Sequence, residues 1–295
     1  MSEQLGSGKF AGKDELPVAT VVRLGTCVLD DRRPGRRALV TGASSGIGKA
    51  YTEKLAVEGW DVTVAARDTA RLAALKSALE AAHGVNIKIL TADLAKREDQ
   101  IRLAAEIAGE DSLLLLINNA GVSMVGNLVT LDEQKLYEML MVNSVAPTML
   151  ARAALPGMIE RGRGAIINVA SAGAFVAAPT SGAYCGSKAL INSLTEGLSG
   201  ELDGTGVQVQ ALCPGMTMTE MHIRGDFDVS WVPSWMTAEQ VVEASFEGLR
   251  LGEVVCVPGL QDAALTAEMR AVGNSIVGQT IQSVVAPRYK SASAV

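Results

Sequence analysis

Thr41-Gly42-Ala43-Ser44-Ser45-Gly46-Ile47-Gly48 follows the short apolar run Ala38-Leu39-Val40 and leads into a helical pattern over Lys49–Gly59. Strand, glycine-rich turn and helix, in that order, make a phosphate-binding design. Glycines permit a tight turn and let the backbone approach a pyrophosphate. The helix N-terminus adds free N–H groups and the positive end of a dipole. The spacing is G-x-x-x-G-x-G, which differs from the commoner dinucleotide fingerprint G-x-G-x-x-G.

Outward from this turn the pattern stays regular. Strands are expected at Val62–Ala66, Asn86–Leu90, Leu113–Ile117, Gly164–Val169, Val207–Leu212 and Val254–Val257. Helices are expected at Ala70–Ala82, Arg97–Ala108, Leu131–Arg161, Gly182–Leu202 and Thr237–Leu251, the last with Thr237 as N-cap. The long one should bend near Asn143–Pro147. Leu113–Ile117 is apolar without a break, as parallel strands buried on both faces are. Alternation of this kind predicts the α/β class: a single-domain, Rossmann-type, doubly wound parallel sheet of about seven strands, order 3-2-1-4-5-6-7, with helices on both faces. It should span 36–258. Residues 1–35, interrupted by glycine and proline, read as a partly flexible extension. Residues 259–295 read as a tail of moderate helical character.

Composition narrows the function classes. Of 295 residues, 48% are hydrophobic and 4% aromatic, enough for a sizeable core. The net charge of −6 gives no broad attraction to nucleic acid or anionic lipid. Cys27, Cys185, Cys213 and Cys256 lack C-x-x-C spacing and read as reduced thiols. With only His83 and His222 beside them, no metal site is expected. No apolar run is long enough to span a membrane. No signal-peptide layout is seen, so a cytoplasmic location is the expectation.

Chemistry enters with Tyr184-Cys185-Gly186-Ser187-Lys188. On a helix, Tyr184 and Lys188 lie one turn apart on one face. An ammonium beside a phenol favours the phenolate, so the tyrosine can exchange a proton with a substrate oxygen nearer neutral pH. The end of the second strand bears on the cofactor. An acidic residue there binds a ribose 2′-hydroxyl, whereas an arginine accommodates a 2′-phosphate. Here Arg67 comes first, which favours NADP(H) over NAD(H), with Ser44 or Ser45 adding a hydrogen bond. Asp68 is the rival for the ribose, but is expected to cap the next helix.

Taken together, these residues resemble the short-chain dehydrogenase/reductase family over about Arg37 to Val257, in its branch similar to hydroxysteroid dehydrogenases and 3-oxoacyl reductases. The resemblance implies a catalytic tetrad of Asn143, Ser171, Tyr184 and Lys188. Gly42, Ser44, Ser45, Gly46, Ile47 and Gly48 match the cofactor turn. Asp93 and the Leu94 backbone match the adenine contact, and Asn118-Asn119-Ala120-Gly121 the segment passing along the cofactor. Pro214 and Gly215 flank the nicotinamide. Thr219 completes a P-G-x-x-x-T pattern that touches its carboxamide. Thr217 departs from the aliphatic residue many members carry there, though its backbone N–H still serves. The family role of Tyr184 is proton exchange with the carbonyl as hydride is transferred. Lys188 lowers its pKa and binds ribose, Ser171 holds the substrate oxygen, and Asn143 holds a relay water.

The expected substrate is a bulky or hydrophobic carbonyl or secondary alcohol. Met216–Trp235 carries Met216, Trp231 and Trp235 as an adaptable apolar lid over 216–236. A homodimer or homotetramer is expected, paired through the long helices. The competing expectations are an NAD-dependent alcohol dehydrogenase of the same fold and a nucleotide-binding regulator without turnover. The regulator's signature is a broken tetrad, whereas here the tetrad is whole.

Overall fold

The computed structural model describes residues 27–221, 230, 232–281 and 284–289. Its seven parallel strands lie in the order β3-β2-β1-β4-β5-β6-β7. They are β1 Arg37–Thr41, β2 Asp61–Ala66, β3 Ile87–Thr91, β4 Leu113–Asn118, β5 Gly164–Val169, β6 Val207–Leu212 and β7 Val255–Cys256. The helices between them are α1 Gly46–Val57, α2 Thr69–His83, α3 Arg97–Ala108, α4 Glu133–Leu140, α5 Ala146–Glu160, α6 Gly182–Glu201 and α7 Ala238–Leu251.

Strands β4, β5 and β6 are buried along their whole length, because helices cover both faces. The pleat sends alternate side chains to opposite layers. Leu115 and Ile117 join Tyr51, Leu72 and Phe246, the layer of α1, α2 and α7. Leu116 joins Leu103, Leu150 and Leu198, the layer of α3, α5 and α6, and Leu113 joins the same layer because the register shifts at the start of β4. Each such leucine stabilises the fold by roughly 1.5–3 kcal/mol through burial. Some of the polar groups inside pair with one another. The Tyr51 hydroxyl donates to Ser245 Oγ at 2.5 Å, and that hydroxyl donates to Gln210 Oε1 at 2.6 Å, joining α1, α7 and β6.

Two features differ from the sequence reading. Cys27, Val28 and Leu29, assigned to a partly flexible extension, are buried in the α1–α2–α7 layer. Their apolar character is the physical reason, and the compact unit takes in Val21–Gly259. The bend expected near Asn143–Pro147 is a π-turn at Met141–Val145 between α4 and α5. Pro147 sits in the first turn of α5, where its missing N–H costs little. A π-turn rotates the following face, and such turns gather at functional positions. This one buries Asn143 to 1% exposure.

The second unit includes the residues from 260 onward. Its described part holds α8, Ala264–Thr280, and a single 3-10 turn at Pro287–Tyr289.

Candidate active site

The glycine turn is held by side chains from the neighbouring strand end. Thr41 Oγ1 accepts the Asn119 and Ala120 N–H groups, both at 3.0 Å. Asn119 Nδ2 donates to the Thr41 carbonyl at 2.9 Å and to the Gly42 carbonyl at 3.3 Å. This mesh explains two glycines. Gly42 has φ +67°, and a Cβ there would lie 2.8 Å from Ala120 Cα. At Gly48 a Cβ would overlap both Asn119 Nδ2 and the Gly42 carbonyl. Gly46, φ +53°, opens α1, and Ser45 at the N-cap makes no side-chain capping bond. The first N–H groups of α1 are therefore available to an anion.

At the other end of the same carboxyl edge the four tetrad residues converge. Lys188 is 4% exposed, and Nζ donates to the Val169 carbonyl at the end of β5, 2.9 Å away. Nζ also lies 6.0 Å from the centre of the Tyr184 ring. A Cβ on Gly121 would stand 3.3 Å from Lys188 Nζ and 3.5 Å from Asn143 Oδ1, so only glycine leaves the space between them open. Asn143 is pinned. Oδ1 accepts the Val122 N–H at 2.9 Å, and Nδ2 donates to the Val122 carbonyl at 2.9 Å and to Ser187 Oγ at 3.1 Å. Ser187 in turn donates to the Tyr184 carbonyl at 2.7 Å, tying Asn143 to the first turn of α6. Ser171 N-caps the short turn after β5 by accepting the Gly173 N–H at 3.0 Å. The Ser171 hydroxyl also stands near enough to Tyr184 to act on its phenol. A Cβ on Gly173 would come within 3.4 Å of Ser171 Oγ and 3.6 Å of Tyr184 Cε1.

The electrostatics depart from expectation. In the protein alone the Tyr184 phenol is pushed up, not down. Burial penalises the phenolate, and the nearby Ser171 hydroxyl opposes it only in part. Lys188 is lowered to about 8 by burial. Among the described residues it makes no ion pair, so little favours its charge. Both groups sit in a site that disfavours charge until something polar enters.

A third set lies toward β2 and β3. Arg67 is exposed at the end of β2. Asp68 caps α2 by accepting the Arg71 N–H at 3.0 Å, as expected. Asp93 accepts the Ala95 N–H at 3.2 Å, which shapes its own loop. The Leu94 carbonyl is occupied by Gln100 Nε2 at 2.7 Å.

After β6, the Pro214 carbonyl accepts the Ala172 N–H at 2.8 Å, joining the segment to the turn that carries Ser171. Gly215 is exposed. Thr217 is buried, and bridges in parallel to Met236. The Met218 N–H donates to the Met236 carbonyl at 2.8 Å, and the Met236 N–H to the Met216 carbonyl at 3.2 Å. The two ends of the expected lid are thus stitched together. Met216 and Trp235 are half-buried there, whereas Trp231 lies outside the described residues. Thr219 reaches α1: its Cγ2 is 3.1 Å from where a Gly46 Cβ would be. Ile47 packs on the core, and Ser44 stands half-buried in the turn.

Sequence reasoning missed Thr41, Ser187 and the Val169 carbonyl. Thr41 stood inside the quoted turn and Ser187 beside Lys188, but a hydroxyl between glycines or on a helix carries no spacing signal. A nicotinamide dinucleotide fits what is present: an uncapped helix N-terminus, a backbone cradle that Cβ atoms would fill, and a buried ammonium short of acceptors. Among the described residues no cluster of metal-ligating side chains occurs, and no helix is long and apolar enough to cross a membrane.

Comparison with known proteins agrees with this fold. The sequence model of the family described as short chain dehydrogenase matches residues 36–226. The chain is similar to a very-long-chain 3-oxoacyl-CoA reductase of Anas platyrhynchos, 33% identical over 192 residues, covering 63% of this chain and 61% of that protein. Matches to the first curated relatives span about three fifths of their length. Among solved structures, a short-chain dehydrogenase from Sphingobium yanoikuyae in complex with NADPH superposes with TM-score 0.82 at 33% identity, covering 86% of this chain and 100% of that one. A bulky-bulky ketone specific alcohol dehydrogenase from Comamonas testosteroni gives 0.80 at 31% identity, covering 87% and 99%.

Proposed function

The chain belongs to the short chain dehydrogenase family, and from that premise we propose that it is an NADP(H)-dependent oxidoreductase interconverting a bulky or hydrophobic ketone or aldehyde and the corresponding alcohol. The observation that carries this reading is the convergence of Tyr184, Lys188, Asn143 and Ser171 at the same sheet edge as the glycine turn. The bound cofactor supplies or accepts the hydride.

The residues of the chain do the rest. Ser171 holds the substrate oxygen and shares the charge that develops on it. Tyr184 gives its proton to that oxygen in reduction and takes it back in oxidation. Lys188 faces the open space beside Gly121, where ribose hydroxyls would replace the acceptors it lacks. Asn143 fixes Val122 and α6, and with them the spacing of the site. Substrate would enter between the Ala172–Phe175 turn and the Met216–Met218 segment. The exposed Met218 and Val176 and the half-buried Trp235 give that entrance an apolar lining. The NADPH complex and the bulky-ketone enzyme among the similar structures support the same choice of cofactor and substrate. Pairing of two chains through α4, α5 and α6 is part of the reading, since Tyr137, Leu140, Met149 and Leu190 leave apolar surface exposed there.

The test is absorbance at the reduced-nicotinamide band with NADPH or NADH and a graded panel of ketones. NADPH consumption that rises with apolar bulk is the expected result. Binding of NADPH with no carbonyl or alcohol ever changing the signal would instead make the protein a nucleotide-binding regulator.

A further inference from the structure

Arg71 is a cation the family reading does not use. It lies in the first turn of α2, with Nη1 at 2.8 and 2.9 Å from the two Glu220 oxygens and Nε at 3.3 Å from Asp68 Oδ2. Glu220 is 149 residues away in sequence, on the segment that follows β6. Strands β2 and β6 are four places apart in the sheet, roughly 19 Å at the usual strand spacing. The preceding residue, Thr219, is against Gly46 at the start of α1. The Thr219–Glu220 segment therefore runs from the glycine turn to the start of α2, across the carboxyl edge where such sheets bind dinucleotides.

We propose that Arg71 is a second 2′-phosphate-reading residue beside Arg67, and that Glu220 competes with the phosphate for it. This rests on the NADP(H) reading above. An arginine that faces two carboxylates makes a fork suited to a dianionic phosphate. The standing ion pair is half exposed, with side chains 46% and 40% accessible, and pairs of that kind hold weakly. A phosphate arriving at Arg67 would take Arg71 from Glu220. A cofactor with a bare 2′-hydroxyl would leave the pair closed. Glu220 then acts against phosphate twice, by occupying Arg71 and by its own charge. Preference between the two cofactors is thus set across the crevice, as well as at the end of β2.

The experiment is titration of the full chain with 2′,5′-ADP and with 5′-AMP, followed by calorimetry, which needs no turnover. Arg71→Leu should weaken 2′,5′-ADP by about tenfold and leave 5′-AMP unchanged. Glu220→Gln should tighten 2′,5′-ADP by about two- to fivefold, again without moving 5′-AMP. The 5′-AMP titration shows that each variant is folded. Unchanged 2′,5′-ADP affinity in both variants, while Arg67→Leu loses it, overturns the role of Arg71 and leaves the cofactor reading standing. If the unaltered protein binds 2′,5′-ADP no better than 5′-AMP, the NADP(H) preference falls and this inference falls with it.

Discussion

Lys188 and Arg71 stand at opposite ends of one sheet edge. Lys188 is 4% exposed, has no carboxylate among the described residues, and donates to a single carbonyl. Arg71 is half exposed and faces two carboxylates. A buried ammonium without a counter-ion is costly to keep, so Lys188 is expensive for the fold and points to a task. An exposed ion pair costs little and holds little, so Arg71 is easily redirected. The chemical end of the crevice is built from buried Lys188 and Asn143 and half-buried Ser171 and Tyr184. The phosphate end is built from backbone and surface charge. The two should therefore respond to substitution in different ways.

The largest effect should come at the chemical end. Tyr184→Phe removes the only proton the proposed step exchanges with the carbonyl oxygen. Turnover of any accepted ketone should fall by roughly 10²–10⁴-fold, with NADPH affinity nearly unchanged. Initial rates and a fluorescence titration separate the two. Rates within a few-fold of the parent would remove tyrosine from the chemistry and leave the site a binding cleft.

Lys188→Met probes what the buried charge costs. The folded pKa of about 8 lies below the ordinary 10.5. Between these values the unfolded chain holds more protons than the folded one, so stability rises with pH across that window. Below about 8 the full penalty is present, on the order of 3 kcal/mol at 1.36 kcal/mol per pH unit. The variant should therefore be more stable than the parent at pH 7. The advantage should shrink steadily toward pH 10.5 in paired urea melts. A difference independent of pH would mean that Lys188 is not carrying a buried, titrating charge.

Gly48→Ala tests the phosphate end, where geometry rather than charge governs. Its Cβ would overlap Asn119 Nδ2 and the Gly42 carbonyl. Displacing backbone in a packed site costs about 1–3 kcal/mol. A lowered melting temperature together with weakened nucleotide binding is expected. Loss of neither would show that the Thr41–Asn119 mesh yields without consequence.

This contrast also decides what could be read in the chain beforehand. The phosphate end was legible because backbone-built sites require glycine, and glycines at fixed spacing stand out. Uniformly apolar strands such as β4 were legible because burial on both faces leaves no alternation. Tyr184 and Lys188 were visible as a pair, but the direction of the phenol's shift was not. It depends on burial by residues far along the chain, and burial outweighed the neighbouring hydroxyl. The π-turn was visible only as an expected bend, since nothing in Met141–Val145 distinguishes one helical hydrogen-bond pattern from another. Arg71 with Glu220 could not be paired from sequence, because no local rule links positions so far apart. Cys27–Leu29 lie in the one part of the extension, 18–29, able to form a short strand or helix, but three apolar residues carry no period that would assign them to the core rather than the surface.

The smallest effect sharpens the reading of the ribose end. Asp68 has two possible employments there, as a cap for α2 and as an acidic partner for a 2′-hydroxyl. Its side chain already accepts the Arg71 N–H at 3.0 Å and faces the Arg71 guanidinium. If capping is its work, Asp68→Ala should cost about 1 kcal/mol in urea unfolding and leave NADH affinity as it was. Removing the carboxylate also frees Arg71 of one competitor, so NADPH should bind slightly more tightly, within about threefold. A fall in NADH affinity larger than the fall in stability would give Asp68 to the ribose. The preference for a 2′-phosphate would then have to rest on Arg67 and Arg71 working against an acid placed between them.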